Sequence, residues 1–588
     1  MDQNTTAGDI KEAKTNIDSL LDLINRQRKR DIMSIALELG VSPNIIESWA
    51  KTLESEKRIK ITNELGKMYI SLYDGSDRDT STAPRISATE KQDGAKILST
   101  YTIDAHGMIV KIEISDTPTE FVHQYNVTFP GIGNATKLIL MSFRTELTSL
   151  VRLDPGRIQD EKYIKEMNQR YRDASVVLIE KYIPGTNTET KALLTSYIIN
   201  MMLGLGDLEV LLADENLEEI AVNGARDFVW IFHKTLGWCR TNIKPQSDES
   251  IYEQAAQIGR HIGREINNLA PLMDAELTDG SRVNATLYPI SQAGNTLTIR
   301  KFAKNPWTMP ALVKLGSISS DIASLIWLCI QNEISILISG GTASGKTSFL
   351  NACSMFFPAN RRIISIEETR ELELPKFLQW IAMISREPNP EGKGEITLYD
   401  LMVNALRQRP DIMLVGEIRT KKDAETLFEA IHTGHSVYGT VHADNAEDTI
   451  IRMTNPPIDI PKITMNAIGA VVTLFRHRTK GVRRMLEFGE MLGTGDINVL
   501  HRWNIIDDTF NQISEMTRLL ETLTLYGGLT NKEMMDDLAS KKLVIEWMVK
   551  NNVINIDDSG FLVANYYKDP ERVVKIASEG MKFSRDIF

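Results

Sequence analysis

The sequence has little cysteine, no long apolar run and no excess of positive charge, and each absence excludes a class of protein. Only three cysteines occur in 588 residues, Cys239, Cys329 and Cys353, and their isolation argues against a disulfide framework or a cysteine metal site. No run approaches the roughly 18 apolar residues that a membrane-spanning helix requires. A formal net charge of -11 provides no broad basic field for non-specific binding to nucleic acid.

The composition is that of a folded, multidomain protein. Hydrophobic residues make up 42% of the chain and charged residues 25%, which lies in the ordinary globular range. The length predicts about three to five domains, since one core rarely serves more than roughly 200 residues. The first residues, MDQNTTAGDI, lack the basic and apolar regions of an export signal, so we expect a cytoplasmic protein without intrinsic membrane insertion.

The N-terminal 73 residues have the pattern of a winged helix-turn-helix. Apolar residues recur at helical spacing over 17–24 and 32–39, and Ser42 is placed to cap a third helix. Alternating apolar residues over 59–72 predict a two-stranded wing. Such a module binds DNA through its third helix or docks a protein partner, and the balance of acidic and basic residues on that helix favours docking.

The rest of the chain divides by composition and by the alternation of apolar residues. A polar stretch with Gly, Ser, Thr and Pro is typical of a linker, and Pro306 and Pro310 precede a region where strands alternate with helices, as in a parallel sheet. The predicted domains are a docking module at 1–73, a linker at 74–95, a small β segment with a helical connector at 96–173, an α/β domain at 174–305, a second α/β domain at 306–478 and a mainly helical region at 479–588.

The segment GGTASGKT fits the phosphate-loop pattern G-x-x-x-x-G-K-[ST]. It follows the apolar run 334–338 and leads into a helical segment, which is the strand-loop-helix setting that this loop requires. Lys346 is expected to neutralise the β- and γ-phosphates of ATP, and the Thr347 hydroxyl to ligate Mg²⁺. The expected nucleotide-binding residues are Gly340, Gly341, Thr342, Ala343, Ser344, Gly345, Lys346, Thr347 and Ser348.

Hydrolysis of ATP also needs carboxylates beside the metal ion, and two predicted strand ends supply them. The segment RRIISIEETREL carries Glu367 and Glu368 after an apolar run, and RPDIMLVGEIR carries Glu417 after another. Ligands of parallel α/β sheets bind at the carboxyl ends of the strands. These acids are therefore expected to lie near the phosphate loop.

Three histidines, His432, His435 and His442, lie close together in the segment HTGHSVYGTVHAD. A metal site is one interpretation, although no cysteine or clustered carboxylate completes a zinc set at the usual spacing. Contact between His435 or His442 and the γ-phosphate region is the other, and it fits the neighbouring motifs better.

The segments GGTASGKT, IEETREL, ALRQRPDIMLVGEIR and HTGHSVYGTVHAD, in this order and spacing, resemble the Walker A, Asp box, Walker B and His box motifs of the secretion-ATPase superfamily. This superfamily includes the motors of type II secretion, type IV pili, archaella and conjugation. The resemblance covers roughly 174–478, and the C-terminal region is most similar to archaeal members. It implies an α/β fold with a RecA-like P-loop ATPase core and a PAS-like α/β N-terminal domain. The apolar spacing at the two ends of the chain adds an extra winged-helix-like module and a helical C-terminal region.

The resemblance also implies residue roles and partners. Glu367 would activate the attacking water, and Arg282 and Arg300 would reach the phosphates from the N-terminal domain. His435 and His442 would complete the catalytic set with Glu417. Family members act as hexameric rings on a polytopic membrane platform protein. We therefore expect a homo-oligomer held by partners at the inner face of the cytoplasmic membrane, with no nucleic acid bound.

The acidic segments depart from the family's pattern at two positions. Glu417 and Thr347 are expected metal ligands, and Glu368 is a third that stands where many relatives have Asp, so its role is open. Thr420 follows Arg419 where Gly or Asp is more frequent.

Two other functions are compatible with the sequence. The winged-helix-like start and the RecA-like core also suit a motor that moves nucleic acid, which would need a basic channel. A nucleotide-dependent scaffold or switch with little turnover would keep the same phosphate loop. The retained Glu367, Glu417, His435 and His442 favour hydrolysis over that second alternative.

Overall fold

The computed structural model describes residues 14–27, 29–64, 67–73, 95–151, 161–202, 204–261, 264–277, 279–302, 305–386, 388 and 392–588. The chain divides into two compact units, Met1–Phe302 and Ala303–Phe588. The linker predicted at 74–95 lies outside the described residues except for Ala95. Within the described ranges, every helix is too short or too polar to span a bilayer.

The first unit begins with three helices and a small antiparallel sheet of order β1-β3-β2. The helices and the wing lie where the sequence predicts them, and the short strand β1 is an addition that pairs with β3. Gly40, with φ of 63°, ends the second helix in the left-handed conformation. The elements are α1 (Asn16–Gln27), β1 (Lys29–Asp31), α2 (Ile32–Leu39), α3 (Pro43–Ser55), β2 (Ile59–Glu64) and β3 (Lys67–Leu72).

The remainder of the first unit is a nine-stranded sheet with helices. Its order is β10-β11-β12-β7-β8-β9-β6-β5-β4, with β6 and β9 parallel and the other pairs antiparallel. The elements are β4 (Lys96–Ala105), β5 (Met108–Asp116), β6 (His123–Thr128), α4 (Asn134–Leu150), α5 (Glu161–Tyr182), α6 (Thr188–Met202), α7 (Leu208–Ala213), β7 (Leu217–Asn223), β8 (Trp230–His233), β9 (Gly237–Thr241), α8 (Asp248–His261), β10 (Leu272–Glu276), β11 (Arg282–Thr286) and β12 (Thr296–Arg300).

The small β segment and the following α/β segment, which the sequence separates, share this sheet through the pairing of β6 with β9. The predicted boundary at 173 falls within the continuous helix α5. Helices α4, α5 and α6 share an apolar core with α1–α3. Trp49 of α3 is fully buried there, and its indole N–H donates to the Tyr182 carbonyl at 2.6 Å. The three N-terminal helices therefore pack on helices α4–α6 within the first unit.

The second unit is built on another nine-stranded sheet, of order β15-β14-β16-β17-β13-β18-β19-β20-β21. The elements are α9 (Met309–Lys314), α10 (Ser320–Gln331), β13 (Ile336–Gly340), α11 (Lys346–Cys353), β14 (Arg362–Glu367), β15 (Gln379–Ile384), α12 (Leu398–Leu406), β16 (Ile412–Val415), α13 (Lys421–His432), β17 (Ser436–Val441), α14 (Ala446–Thr454), β18 (Ala470–His477), β19 (Val482–Met491), β20 (Ile497–Asn504), β21 (Thr509–Gln512), α15 (Arg518–Gly527), α16 (Asn531–Lys550), α17 (Ile556–Lys568) and α18 (Pro570–Ser578).

Six neighbouring strands of this sheet are parallel, so their carboxyl ends lie along one edge. In sheet order they are β15, β14, β16, β17, β13 and β18. Every residue of β13 and β16 is buried, as the apolar runs of these two segments predict, and every residue of β17 is buried as well. A parallel sheet whose central strand leads through a phosphate loop into a helix is the RecA-like core that the motifs imply.

Three antiparallel strands, β19–β21, extend this sheet before the helices α15–α18 begin. The boundary predicted at 478 therefore falls in the turn between β18 and β19, which are paired along their length. The C-terminal helices pack on the core. Trp327 of α10 donates its indole N–H to the Tyr567 hydroxyl at 3.0 Å, and this hydroxyl donates to the Phe356 carbonyl at 2.6 Å.

Candidate functional site

The phosphate loop leaves β13 at Gly340 and enters α11 at Lys346. Gly340 has φ of 154° and Gly345 has φ of 96°, values that favour glycine. A Cβ atom on Gly340 would lie 2.6 Å from the carbonyl oxygen of Leu474 on β18. Ala343 adopts φ of 59°, which is unfavourable for a residue with a Cβ atom. The loop is therefore tightly bent against its neighbouring strand.

The Lys346 side chain folds back over the loop that precedes it. Its Nζ donates to the carbonyls of Gly340 at 3.0 Å and Gly341 at 3.2 Å. Burial lowers the pKa of Lys346, while the carboxylates of Glu417, Glu371 and Asp444 act in the opposite direction. The ammonium group thus lies among acidic side chains at the carboxyl edge of the sheet, where a phosphate loop places its lysine.

His442 connects Lys346 with Glu417. Its Nδ1 lies 3.3 Å from the Lys346 Nζ, and its Nε2 lies 3.0 Å from a carboxylate oxygen of Glu417. We assign the proton to Nε2, since lysine can only donate and the carboxylate can only accept. Burial and then the Lys346 charge lower the pKa of His442, so the imidazole is neutral at pH 7.

Arg419 joins the two acidic segments. Its Nη2 donates to Glu417 at 2.8 Å, and its Nη1 donates to both carboxylate oxygens of Glu368 at 2.7 Å. The hydrogen bond to Glu417 is the main cause of a raised pKa for Arg419, so the guanidinium stays charged. Arg419 thus occupies both carboxylate oxygens of Glu368 and would compete with a metal ion for them. The metal-ligand role expected for Glu368 stays a prediction.

Glu367 is the last residue of β14 and is only 2% exposed. One carboxylate oxygen accepts the backbone N–H groups of Glu371 at 2.9 Å and Leu372 at 3.0 Å. The other oxygen is buried and has no hydrogen-bond partner among the described residues. Burial raises the pKa of Glu367 to about 7. The side chain shapes the loop that carries Glu371 and exchanges its proton near neutral pH.

The histidines are not brought together. His432 ends α13, and His435 precedes β17, with its Nδ1 3.0 Å from the Ala430 carbonyl. His442 follows the other end of β17, roughly 23 Å away at about 3.3 Å per strand residue. The strand places only His442 at the phosphate loop, so the expected contact of His435 with the γ-phosphate region is not supported by its position. Among the described residues, no group of three or more His, Cys, Asp or Glu side chains is placed to hold a metal ion.

Arg282 and Arg300 face each other in the first unit, as register partners on β11 and β12. The Nε of Arg282 donates to Asp274 at 3.0 Å. The phosphate loop belongs to the second unit. Contact of either arginine with the phosphates stays a prediction.

The side chains present fit a magnesium nucleotide. Mg²⁺ is commonly held by one or two protein oxygens together with substrate phosphates and water. The Thr347 hydroxyl on the first turn of α11 and the Glu417 carboxylate can supply those oxygens. Within the loop, the Ser344 hydroxyl is buried and lacks a hydrogen-bond partner among the described residues, which is consistent with a missing polar ligand.

Four residues of the site escaped the sequence analysis. The carboxylates of Glu371 and Asp444 favour the charged form of Lys346 by raising its pKa. A carboxylate oxygen of Asp444 also lies 3.0 Å from where a Cβ atom on Gly341 would be. Arg419 bridges the acids, as described. All three stand inside or directly beside the recognised motifs, so the motifs gave a signal for them. The fourth, Arg483 on β19, donates from Nε to the Ala343 carbonyl at 3.1 Å, and no motif marks it.

The family described as type II/IV secretion system protein matches residues 204–487. An uncharacterized protein of Methanocaldococcus jannaschii is 37% identical over 297 residues, which are 50% of this chain and 53% of that protein. The chain thus spans about half the length of this relative.

Two further relatives are covered over most of their length. A second uncharacterized protein of Methanocaldococcus jannaschii is 37% identical over 238 residues, 39% of this chain and 87% of that protein. The type IV secretion system protein PtlH of Bordetella pertussis is 28% identical over 306 residues, 46% of this chain and 89% of that protein. The family match over residues 204–487 contains the phosphate loop and its acidic partners. The chain belongs to the type II/IV secretion system protein family.

Proposed function

We propose that this chain hydrolyses ATP as a cytoplasmic, homo-oligomeric motor for type II/IV secretion or for assembly of a pilus-like or archaellum filament. The observation that carries the proposal is the hydrogen-bonded series Lys346–His442–Glu417–Arg419 at the carboxyl edge of the parallel sheet. It joins three separate motifs around one phosphate loop. The family relationship supports the secretion role, and a hexameric ring would act on a polytopic membrane platform protein.

The residues divide the work by charge. Lys346 and the loop N–H groups would bind the β- and γ-phosphates, and Thr347 and Glu417 would orient the metal shell. Mg²⁺, when bound, would offset charge that develops on the transferred phosphoryl group. Neutral His442 contacts both Lys346 and Glu417. It would lose its contact with Lys346 when the lysine turns to the γ-phosphate, so its environment would change with the bound nucleotide.

Two carboxylates compete for the water-activating role. Glu367 was expected to fill it, and a pKa of about 7 suits a general base at neutral pH. Its near-complete burial and its backbone hydrogen bonds also suit a residue that orders the following loop. Glu371 interacts electrostatically with Lys346 and is the second candidate. The variants Glu367→Gln and Glu371→Gln separate the two roles. The variant that lacks the general base should still bind ATP but should no longer hydrolyse it.

Arg282 and Arg300 would act on the phosphates of the bound nucleotide, as their resemblance to the family's arginines implies. Arginines that approach the phosphates compensate charge in the transition state, and their approach and release would turn the ATP cycle into rigid-body motion. The N-terminal helices and wing would dock a protein partner. These assignments are carried by the family relationship and by the residue types.

The test is Mg²⁺-dependent phosphate release by the intact chain, by Lys346→Ala and by Glu417→Gln, at concentrations where sizing shows the oligomer. We expect turnover only from the intact chain, a loss of ATP binding in Lys346→Ala, and retained binding with turnover at least about a hundredfold lower in Glu417→Gln. Each assay is run with and without DNA.

Three outcomes would contradict the proposal. ATP binding without turnover by the intact chain would favour a scaffold or switch. Strong stimulation by DNA would favour a nucleic-acid motor. Equal turnover by Glu417→Gln would remove Glu417 from the reaction.

A further inference from the structure

Strand β19 contacts the nucleotide site at two places outside the recognised motifs. It runs antiparallel to β18, which pairs with the phosphate-loop strand β13. Arg483 near its start and Glu487 near its middle reach different loops. Between them the pairing shifts, so that Leu486 has no partner on β18. Such β-bulges redirect side chains and are common beside functional sites.

Arg483 lies along the phosphate loop. Its Nε donates to the Ala343 carbonyl at 3.1 Å, and its Cδ is 3.8 Å from where a Cβ atom on Gly345 would lie. Ala343 holds a left-handed conformation, with φ of 59°, that a residue with a Cβ atom adopts only when its surroundings enforce it. The hydrogen bond from a charged donor to its carbonyl is a restraint of this kind.

Glu487 holds the helix that follows the His box. It is 6% exposed, and its Oε2 accepts the backbone N–H of Ala446, the first residue of α14, at 2.8 Å. Its other oxygen accepts from Arg502 on β20 at 2.9 Å. The loop that carries His442 ends at α14, so Glu487 fixes one end of that loop. Arg502 balances the buried charge.

Buried hydroxyls tie the same helix to the phosphate-loop strand. The Thr449 hydroxyl of α14 donates to Ser339 at 2.8 Å, and Ser339 lies 3.0 Å from the Thr473 hydroxyl of β18. All three side chains are fully buried. Ser339 directly precedes Gly340, so α14, β13 and β18 meet where the phosphate loop begins.

We propose that β19 positions both loops of the nucleotide site, with Arg483 holding the phosphate loop and Glu487 holding the start of α14. The inference rests on the proposed binding of ATP. Arg483 restrains the loop that binds phosphate, so its loss raises the Kd for ATP. Glu487 sets the placement of His442 against Lys346, so its loss lowers kcat more than affinity. Both are positioning residues.

The experiment on Arg483 uses the full-length oligomer and measures the Kd for ATP and for ADP by calorimetry, with steady-state kcat and KM. We expect Arg483→Ala to raise the Kd for both ATP and ADP roughly tenfold, as for the loss of a hydrogen bond from a charged group. The kcat at saturating ATP should stay within about threefold of that of the unmodified chain. Arg483→Lys keeps a cationic donor and should recover most of the affinity. Arg478→Ala, in the exposed turn of the same hairpin, is the matched control and should bind as the unmodified chain does.

The experiment on Glu487 separates affinity from turnover. We expect Glu487→Ala to lower kcat about tenfold with the Kd for ATP within about threefold, because the Ala446 N–H loses its acceptor. Glu487→Gln keeps an acceptor oxygen and should restore most of kcat. A large rise in the Kd for ATP together with a fall in kcat, with neither restored in Glu487→Gln, would contradict the assigned role.

The outcomes distinguish this inference from the proposed function. An unmodified chain that binds no ATP overturns the proposed function itself. If the unmodified chain binds ATP and Arg483→Ala binds within twofold of Arg478→Ala, the positioning role of Arg483 is overturned. Should Arg483→Ala fail to fold, Arg483→Lys and Arg483→Gln decide: equal affinities in both, at the unmodified level, would also overturn it.

Discussion

Replacing Glu367 by glutamine is expected to remove a pH-dependent cost from the folded state. The carboxyl group is 2% exposed, and burial raises its pKa from the usual 4.5 to about 7. Between these values the folded chain binds more protons at this site than the unfolded chain does. The free energy of unfolding therefore falls as the pH rises through this window and stays lowered above it.

The size of the effect follows from the pKa difference. A rise from 4.5 to about 7 corresponds to about 3 kcal/mol at pH values above both. Glutamine has nearly the same shape and no charge, and its oxygen can still accept from the N–H groups of Glu371 and Leu372. The stability of Glu367→Gln relative to the unmodified chain should therefore increase from pH 5 to pH 8, by roughly 6 °C in Tm for a domain of this class.

The assay is calorimetric unfolding of both proteins at several pH values across this range. Glu373→Gln is the matched control, because Glu373 belongs to the same segment and pairs with Arg370 near the surface at 2.8 Å. Its Tm should follow that of the unmodified chain at each pH. Parallel curves for Glu367→Gln and the unmodified chain would refute the reasoning, since they would show that Glu367 carries no excess protons in the folded state.

Two further substitutions test packing. Gly340→Ala should abolish ATP binding, because the added Cβ atom would lie 2.6 Å from a carbonyl oxygen on β18, whereas Gly493→Ala, with nothing within 4 Å, should bind normally; equal affinities would contradict the tight loop. Asp537→Ala should lower the free energy of unfolding by about 3–5 kcal/mol, because Lys541 is fully buried and loses its ionic partner. Denaturant unfolding checks this, with the exposed Asp536→Ala as control; similar losses in the two variants would contradict it.

The local pattern was sufficient for most of the elements that build the site. The apolar runs before Gly340, Glu367 and Glu417 predicted strands, and they are β13, β14 and β16. Each run is short, continuous and flanked by polar residues, which is typical of a strand buried on both faces. Since parallel strands align their carboxyl ends, the meeting of the motifs at one edge also followed.

The sequence missed β19–β21 as part of the core sheet. The stretch from Val482 to Gln512 interrupts its apolar residues with charged ones, and neither the helical nor the strand period is clear across the bulge at Leu486. Helices do follow, from Arg518 onward, as predicted for this region. The strands exist because they pair with β18, and that partner is supplied by tertiary contact.

By itself the sequence identified the chemical groups of the site: a glycine-rich loop with Lys346, acids after predicted apolar strands, and three histidines close together in the chain. Only the tertiary structure decided which of them meet. A strand of six residues separates His435 from His442, so His442 lies beside Lys346 while His435 stands at the opposite end of the strand. The two adjacent acids at the end of β14 have different surroundings: Glu368 accepts a hydrogen bond from Arg419, and Glu367 is buried. Arg483 joined the phosphate loop through strand pairing across about 140 residues of sequence, a distance that no local pattern encodes.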